Sequence, residues 1–390
     1  MDAAVRFRFS GALALIIVIE CRTHSAVATW AGDPRDSMTA LKAEPDTTPP
    51  AIPVAPTSLE ELKVALDAVR ELLALAPQRA SAYLDLHVFC TDLLQMVDAR
   101  IREVDPGAEI TPEQLESVCI LLGPYRNLTT LTCAVLGLHP QCAVLNHAGA
   151  RTLQNPRLNF LADYSPDKFS EFVRYAGFAS RGGARGTYGG DIRLSHAFDF
   201  EPMRQAHARL QDSAAAPTKC LVWKDSHLVT NFLRAARVDV PRLLQCNPKL
   251  KFLLPIRNPI DCAISNLRQG HVVFFAPFHG ISPASTVEDV VEAVLGEIAW
   301  FVALQESSGR PENFFLYFEH EIGPGVLEKM LTYLGLPRDE GYLAAAADAF
   351  KVGRRRRKDD RIVNLYADQV TRKFGRRPEL RDALLQFAER

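Results

Sequence analysis

Residues 249–266 read KLKFLLPIRNPIDCAISN, and this stretch contains the clearest strand signal of the chain. The apolar run FLLPI ends at Arg257, and Asn258-Pro259 then begins a segment with the signals of a helix start. A short apolar run without polar interruptions is typical of a strand buried on both faces of a parallel sheet. The stretch therefore predicts a buried strand followed by a helix, with Arg257 at the carboxyl end of the strand.

The same pattern recurs before and after this stretch. Further strands are predicted at 116–123, 142–147, 219–227 and 313–322. Further helices are predicted at 129–139, 228–237, 286–307 and 325–337. Strands that alternate with helices predict an α/β fold, namely a three-layer α/β/α core with a parallel sheet, over residues 115–390.

The first 110 residues have a different organisation. Residues 1–30 contain two early arginines, a short apolar stretch and an Ala-x-Ala sequence, which is typical of a signal or membrane-associated segment; a frayed or wrongly assigned start is the other interpretation. The apolar stretch is too short to cross a bilayer. Residues 31–57 are rich in Pro, Asp and Thr and predict a flexible linker. Residues 58–110 predict a helical extension that begins with a capping box at Ser58.

Composition and charge restrict the kinds of ligand. The chain has 390 residues, is 47% apolar and carries a formal net charge of −1. A neutral chain of this kind has no overall field that would attract nucleic acid, so any anion site has to be local. None of the eight cysteines stands at C-x-x-C spacing, and no metal site is expected.

A local anion site is indicated by residues 121–131, LLGPYRNLTTL. The apolar strand stops at Gly-Pro, and a helix is predicted to begin near Thr129. Free backbone N–H groups at a helix start favour an anion, Arg126 adds a cation, and Thr129 and Thr130 add hydroxyl donors. The loop fits a phosphate or sulfate ester, although a plain strand–helix connection with a surface arginine explains the same residues. It lacks the Lys-Ser/Thr pair that holds magnesium in a P-loop kinase.

A second anion site is indicated at Arg257 and Ser265. Arg257 can form a charge-assisted pair with an anion at the end of its strand, and Ser265 can add a neutral donor from the following helix. The alternatives are a salt bridge at the sheet edge and a serine inside a helix. Because ligands of open parallel sheets bind at the carboxyl ends of the strands, the two loops together predict one anion-binding edge.

At these two loops the chain resembles the sulfotransferases that use 3′-phosphoadenosine 5′-phosphosulfate (PAPS). That family has a first loop of the form R/K-S-G-T-T, which stands here as Arg126-Asn127-Leu128-Thr129-Thr130, followed by His139-Pro140. Its second motif, R-[N/D]-P-x-D with a later serine, stands here as residues 257–261 and Ser265. The resemblance covers about residues 115–340 and implies a P-loop nucleotide-hydrolase-like core.

The resemblance also implies roles for these residues. The first loop, Arg126 to Thr130, would bind the 5′-phosphosulfate, and Arg257 with Ser265 would hold the 3′-phosphate. Asn127-Leu128 departs from the Ser-Gly of the family. Because leucine does not tolerate the positive φ that glycine adopts, either the loop takes a different turn here or the donor site is impaired.

Two histidines are candidates for the base that takes the acceptor proton. His227, in VWKDSHL, is similar to the Lys-x-His segment of part of the family, and Lys224 would then stabilise the leaving phosphate. His147, in VLNHAGAR, is the rival candidate. A neutral imidazole is a suitable general base, but each histidine is also explained as a structural residue.

Two further segments have less specific signals. The glycine-rich stretch 181–193 is a candidate mobile loop over an acceptor, or a plain surface insertion. The basic run 353–361 is a solvated patch or, by the resemblance, a contact to the 3′-phosphate of the donor.

The expected function is metal-free transfer of a sulfuryl group from PAPS to a hydroxyl or amine, with adenosine 3′,5′-bisphosphate (PAP) as the other product. The acceptor is a small molecule, a carbohydrate or a lipid, and no nucleic acid partner is expected. Membrane association would involve the N-terminus. A cytoplasmic active site is favoured, and a secretory-pathway lumen is the alternative if the first segment is a signal or anchor. The alternative functions are a non-catalytic relative that binds nucleotide or a partner and, as a minor one, a nucleotide kinase.

Overall fold

The computed structural model describes residues 110–181, 190–210, 216–352 and 359–389. The predictions for the segments 1–30 and 31–57, and for all but the last residue of 58–110, lie outside the described residues. So do residues 182–189 of the glycine-rich stretch and residues 353–358 of the basic run.

Six strands of the described residues form one sheet. They are β1 (Ser117–Leu121), β2 (Cys142–Asn146), β3 (Gly190–Asp191), β4 (Cys220–Lys224), β5 (Leu250–Ile256) and β6 (Phe314–Phe318). Their order across the sheet is β3-β2-β4-β1-β5-β6, and all neighbours are parallel except β2 and β3. The predicted α/β fold is confirmed, and the sheet, which was predicted to be parallel, is parallel except at the edge strand β3.

Fourteen α-helices lie in the described residues. They are α1 (Thr129–Leu136), α2 (Gly149–Gln154), α3 (Phe160–Asp163), α4 (Pro166–Ala179), α5 (Glu201–Leu210), α6 (Ser226–Ala235), α7 (Val240–Cys246), α8 (Pro259–Arg268), α9 (Ala276–His279), α10 (Val287–Ser307), α11 (Pro324–Leu334), α12 (Glu340–Ala349), α13 (Asp360–Phe374) and α14 (Pro378–Leu385). In the part of the chain that the structure describes, no helix is both long and apolar enough to cross a membrane.

Helices cover both faces of the sheet, which explains why its central strand is buried throughout. All five residues of β1 are buried. On one face, Cys119 and Leu121 belong to a core cluster that includes α1, α11 and α12. On the other face, Trp223 of β4 packs against Phe172 of α4 with ring centroids 4.9 Å apart. Successive residues of a strand point to opposite faces, so every side chain of a strand between two helical layers is buried. Four residues of β1 are apolar, and the polar one, Ser117, donates its hydroxyl to the carbonyl oxygen of Leu334 at 2.6 Å.

The strands predicted at 219–227 and 313–322 differ most from the apolar pattern, and both are shorter in the structure. The stretch predicted as 219–227 leaves the sheet after Lys224, and Ser226 already begins α6. The stretch predicted as 313–322 leaves the sheet after Phe318 and continues as a 3₁₀ turn, Glu319–Glu321. In both cases polar residues follow the last strand residue and turn away at the edge of the sheet. The predictions were wrong at these ends because apolar pattern marks burial and not hydrogen bonding between strands.

The parallel arrangement brings the predicted loops to one edge. The strands β2, β4, β1, β5 and β6 all run in the same direction, so their carboxyl ends meet there. In the sheet, β2 and β4 lie on one side of β1, and β5 and β6 lie on its other side. The strand order therefore changes direction at β1. Such a change of side opens a crevice beside the central strand, where ligands of this fold class bind.

Replacing Gly123, the second residue after β1, is expected to destabilise the fold. Its φ is 94°, and an added Cβ would overlap with Leu254 Cδ1 of β5. We expect Gly123→Ala to lower the free energy of unfolding by about 2–4 kcal/mol, from left-handed strain and overpacking together. Urea denaturation of the wild type and the variant measures this difference in the free energy of unfolding.

Gly270→Ala is the matched control for this prediction. Gly270 has φ 70° and nothing within 4 Å of an added Cβ. Its replacement retains the backbone strain without the overlap, so it should cost only about 1–2 kcal/mol. Equal losses in the two variants would contradict the contact between Gly123 and β5.

Candidate active site at the carboxyl edge of the sheet

In the loop between β1 and α1, two non-glycine residues have backbone angles in the left-handed region of the Ramachandran plot. Arg126 has φ 62° and Leu128 has φ 64°. The expectation that leucine would not take this conformation is therefore wrong. Leu128 occupies the glycine position of the motif with a left-handed backbone, at a cost of roughly 1–2 kcal/mol. Strain of this kind is found mainly where a functional site requires a particular backbone path.

The helix α1 begins without a side-chain cap. Leu128 is its N-cap residue and has no side-chain acceptor. The first backbone hydrogen bond of the helix runs from Thr132 N to the carbonyl oxygen of Leu128. The N–H groups of residues 129–131 precede that bond and lie at the positive end of the helix dipole. An anion placed there would accept from these N–H groups, as phosphates do at many helix starts.

The side chain of Asn127 joins the first loop to the second. Asn127 is fully buried. Its Nδ2 donates to the carbonyl oxygen of Pro255 in β5, and its Oδ1 accepts from the backbone N of Arg257 at 2.8 Å. Its amide is therefore used within the protein, and only its backbone is left to contact a donor molecule. The bridge fixes the distance between the two loops.

The two predicted arginines lie close together at this edge. Arg126 Nε donates to Ser265 Oγ at 3.0 Å, and Arg257 Nη1 donates to the carbonyl oxygen of Arg126 at 3.3 Å. Burial and the charge of Arg257 lower the pKa of Arg126. Arg257 Nε is buried and has no hydrogen-bond partner among the described residues.

The electrostatics of this pair favour an anion. Within the described ranges neither guanidinium forms an ion pair with a carboxylate. Two adjacent cations and an orphaned buried donor are costly unless a negatively charged ligand compensates them. The geometry therefore suits a phosphate or sulfate group.

His147 and Lys224 form a second pair, beside the first. His147 directly follows β2, and Lys224 is the last residue of the neighbouring strand β4. Lys224 Nζ lies 3.3 Å from His147 Nε2. Trp223 Nε1 donates to the carbonyl oxygen of His147 at 2.8 Å and holds its backbone, which has φ 67°. Burial, and then the charge of Lys224, lower the pKa of His147 well below its usual range. The ring is thus kept neutral and can accept a proton.

Asp225 is a polar residue at this edge that no sequence motif indicated. Its carboxylate accepts from Tyr125 OH at 3.2 Å and from the backbone N of Gly149 at 2.6 Å. Burial raises the pKa of Asp225, and the charge of Lys224 acts in the opposite direction. The only signal in the sequence was its place directly after a strand-ending lysine. It connects three of the loops at the edge.

His227 lies in a different environment from His147. It is in the first turn of α6, and its side chain is fully buried. Its ring packs against Tyr125, with centroids 5.4 Å apart, and against Phe275, with centroids 4.6 Å apart. Neither ring nitrogen has a hydrogen-bond partner among the described residues. Burial lowers the pKa of His227 to about 4. The ring is enclosed by aromatic side chains, while His147 is partly exposed.

The structure thus brings most of the predicted site residues to one edge. Arg126, Arg257 and Ser265 form one group, and Lys224 and His147 form a second. Thr129 and Thr130 stand at the start of α1, where Thr129 is buried and Thr130 is partly exposed. No cluster of three or more His, Cys, Asp or Glu side chains suited to a metal ion occurs in the described ranges.

Comparisons with known proteins give similarity only to solved structures. No protein-family model matches the sequence, and no curated protein sequence matches it. Three similar structures are sulfotransferases. Mouse SULT7A1 in complex with PAP has 13% identity and a TM-score of 0.35, covering 70% of this chain and 89% of that one. STF9 from Mycobacterium avium has 15% identity and a TM-score of 0.33, covering 75% and 87%.

The third similar structure is the sulfotransferase domain of the Synechococcus PCC 7002 olefin synthase. It has 14% identity and a TM-score of 0.30, covering 65% of this chain and 93% of that one. With TM-scores of this size, the function of the chain has to be argued from the residues of its own site.

The strain at Leu128 can be measured by comparing two replacements. Leu128→Ala keeps the Cβ that strains the left-handed backbone, and Leu128→Gly removes it. We expect the glycine variant to be more stable than the alanine variant by about 1 kcal/mol. Thermal or urea denaturation of both proteins tests this.

The control pair is Glu292→Gly and Glu292→Ala, at an exposed position inside α10. In a helix interior glycine is the less stable residue by about 1 kcal/mol. The sign of the difference should therefore be opposite at the two positions. The same sign at both would mean that Leu128 is not left-handed in solution.

Proposed function

We propose that this chain is a sulfotransferase that moves a sulfuryl group from PAPS to a hydroxyl or amine of an acceptor. The observation that carries the proposal is the pair of guanidinium groups at the carboxyl edge, Arg126 and Arg257, beside the uncapped start of α1. Both arginines stand in the motifs by which the sequence resembles PAPS-dependent enzymes.

The residues at the edge fit the two charged ends of PAPS. The N–H groups at the start of α1, with Arg126 and Thr130, suit the 5′-phosphosulfate. Arg257, whose Nε is an orphaned buried donor, and Ser265 suit the 3′-phosphate. A donor molecule with two anionic groups would thus satisfy two sets of hydrogen-bond donors that have no carboxylate partner among the residues that the structure describes.

The reaction that fits this geometry is an in-line transfer. PAPS supplies the sulfuryl group: the acceptor oxygen or nitrogen forms a bond to sulfur as the bond from sulfur to the phosphate oxygen breaks. The imidazole of His147 takes the proton from the acceptor group, because its lowered pKa keeps the ring neutral. Arg126, Lys224 and the N–H groups of α1 stabilise the charge that develops on the leaving phosphate. We favour His147 over His227 as the base, since the ring of His227 is enclosed.

The acceptor is proposed only by class, as a small molecule, a carbohydrate or a lipid. A non-catalytic relative that binds nucleotide through the same edge is the second candidate, and the strained Leu128 is the feature that favours it. A nucleotide kinase would require a loop lysine followed by a magnesium-holding Ser or Thr, which the loop does not have.

The donor site is tested by titrating PAP into the purified protein without magnesium. We expect binding, and we expect Arg257→Ala to weaken it by about 10–100-fold, because a hydrogen bond to a charged group contributes about 1.5–3 kcal/mol. Isothermal calorimetry gives both dissociation constants. Raised salt should weaken binding further, since the contacts are ionic.

The matched control is Arg338→Ala. Arg338 is an exposed arginine whose Nε donates to Glu340 at 2.7 Å and whose Nη2 lies 3.1 Å from Glu328. It should leave PAP affinity unchanged. No binding of PAP by the folded wild-type protein would refute the sulfotransferase proposal. Binding without any transfer to a broad acceptor panel would favour the non-catalytic relative.

The proposed base is tested with His147→Gln. We expect the rate of PAP formation from PAPS, with a panel of phenols, amines and sugars, to fall by about 10²–10⁴-fold, since this is the usual contribution of a general base. PAP affinity should be nearly unchanged. In the wild type the rate should fall only below the ordinary histidine pKa of about 6.5, because the lowered pKa of His147 keeps the base form at lower pH.

His227→Gln is the companion variant, because the same residue type is replaced at the enclosed position. We expect it to alter stability more than the rate per folded molecule. If His227→Gln abolished turnover and His147→Gln kept it, His227 would be the base and His147 would not.

A further inference from the structure

Arg257 stands between two peptide groups that are both hydrogen-bonded to side chains from distant parts of the chain. Its own backbone N–H donates to Asn127 Oδ1 at 2.8 Å. The following N–H, that of Asn258, donates to Glu319 Oε2 at 2.9 Å. These two peptide planes flank the Arg257 Cα, so together they restrict its φ and ψ. They thereby restrict the direction in which its side chain leaves the backbone.

Asn258 extends this arrangement to the C-terminal part of the described chain. It is fully buried. Its Oδ1 accepts from the backbone N of Ile260 at 3.0 Å and of Asp261 at 3.4 Å, which caps α8. Its Nδ2 donates to the carbonyl oxygen of Phe387 at 3.2 Å. One side chain therefore caps the helix that follows Arg257 and also holds the segment after α14.

The segment after α14 is itself anchored. The ring of Phe387 is fully buried and packs against His320, with centroids 4.9 Å apart, and Phe318, with centroids 6.4 Å apart. Tyr366 OH of α13 donates to the carbonyl oxygen of Leu384 at 2.7 Å. The carbonyl group that Asn258 contacts thus belongs to a packed part of the structure and not to a free chain end.

Glu319 also fits a supporting role. It lies directly after β6, and its side chain is buried. Its carboxylate stands beside the first residues of α8, where the helix dipole favours a negative charge. Neither Glu319 nor the Asn258–Phe387 contact is part of the two motifs from which the donor site was predicted.

We propose that Asn258 and Glu319 are positioning residues that aim Arg257 at the 3′-phosphate of the donor, and that the C-terminal segment around Phe387 is a structural part of the donor site. The inference rests on the proposed function, because it takes Arg257 to bind PAP. It goes beyond that function in making donor affinity depend on the end of the described chain, about 130 residues after the loop.

The variant that isolates the contact is Asn258→Ser. Serine keeps an oxygen that can cap α8 but has no donor that would reach Phe387 as Nδ2 does. We expect PAP to bind about 3–10-fold more weakly than to the wild type. Glu319→Ala should weaken binding similarly, and Glu319→Gln should restore it, because glutamine keeps an acceptor for the Asn258 N–H.

The matched control is Asn313→Ser. Asn313 is a buried asparagine whose Nδ2 donates to the carbonyl oxygen of Leu250 at 2.7 Å, at the amino end of β5, the strand that Arg257 follows. It should lower the melting temperature without changing PAP affinity. Equal dissociation constants for Asn258→Ser, Asn313→Ser and the wild type would overturn the positioning role.

Hydrogen exchange separates this inference from the proposed function. Backbone amides of residues 257–261 should exchange faster in Asn258→Ser than in Asn313→Ser, whether or not PAP binds. If the wild type does not bind PAP, the proposed function fails. Separately, if these amides exchange equally fast in Asn258→Ser and Asn313→Ser, Asn258 does not hold the backbone around Arg257. Faster exchange together with unchanged PAP affinity would overturn the link between the C-terminal segment and the donor.

Discussion

The side-chain amide of Asn127 is the interaction on which the rest of the site depends. It is buried between the two loops, and its two ends hold a carbonyl group of β5 and the backbone N–H of Arg257. Its neighbours Arg126 and Leu128 both have left-handed backbones. Losing the amide would leave two buried backbone groups unpaired, at about 1–3 kcal/mol each. The distance between the two loops is therefore set by packing and hydrogen bonding within the protein.

The same edge gathers positive charge in a chain that is almost neutral overall. The cations Arg126, Arg257 and Lys224 lie near the start of α1, and the described carboxylate among them, Asp225, is held by Tyr125 and Gly149. Burial lowers the pKa of Arg126, of Lys224 and of His147, so the fold disfavours their charged forms. An arrangement that is unfavourable for the protein alone is typical of a site that binds an anion.

The difference between the two histidines shows where sequence spacing stops being informative. Both follow apolar strands, and the distance of His227 from Lys224 is similar to a family motif. Yet α6 begins at Ser226, so His227 lies in the first turn of a helix. Its ring there packs against Tyr125 and Phe275. His147 is brought to Lys224 because β2 and β4 are neighbours in the sheet, 77 residues apart along the chain. Sequence spacing did not indicate Asp225 either, because its partners Tyr125 and Gly149 follow the strands β1 and β2.

The layered α/β fold, the parallel strands and the two loops at their carboxyl ends could be predicted from the sequence. These follow from local pattern: apolar runs of strand length, helix-start residues, and arginines placed directly after strands. Only the tertiary structure decided that Asn127 bridges the loops, that Leu128 adopts the glycine conformation, that His147 meets Lys224, and that Phe387 supports Asn258. Three of these features are contacts between residues far apart in sequence, and the fourth, the backbone of Leu128, belongs to the loop that the Asn127 bridge holds. Their distances are set by strand order and helix packing, which no single stretch of sequence records.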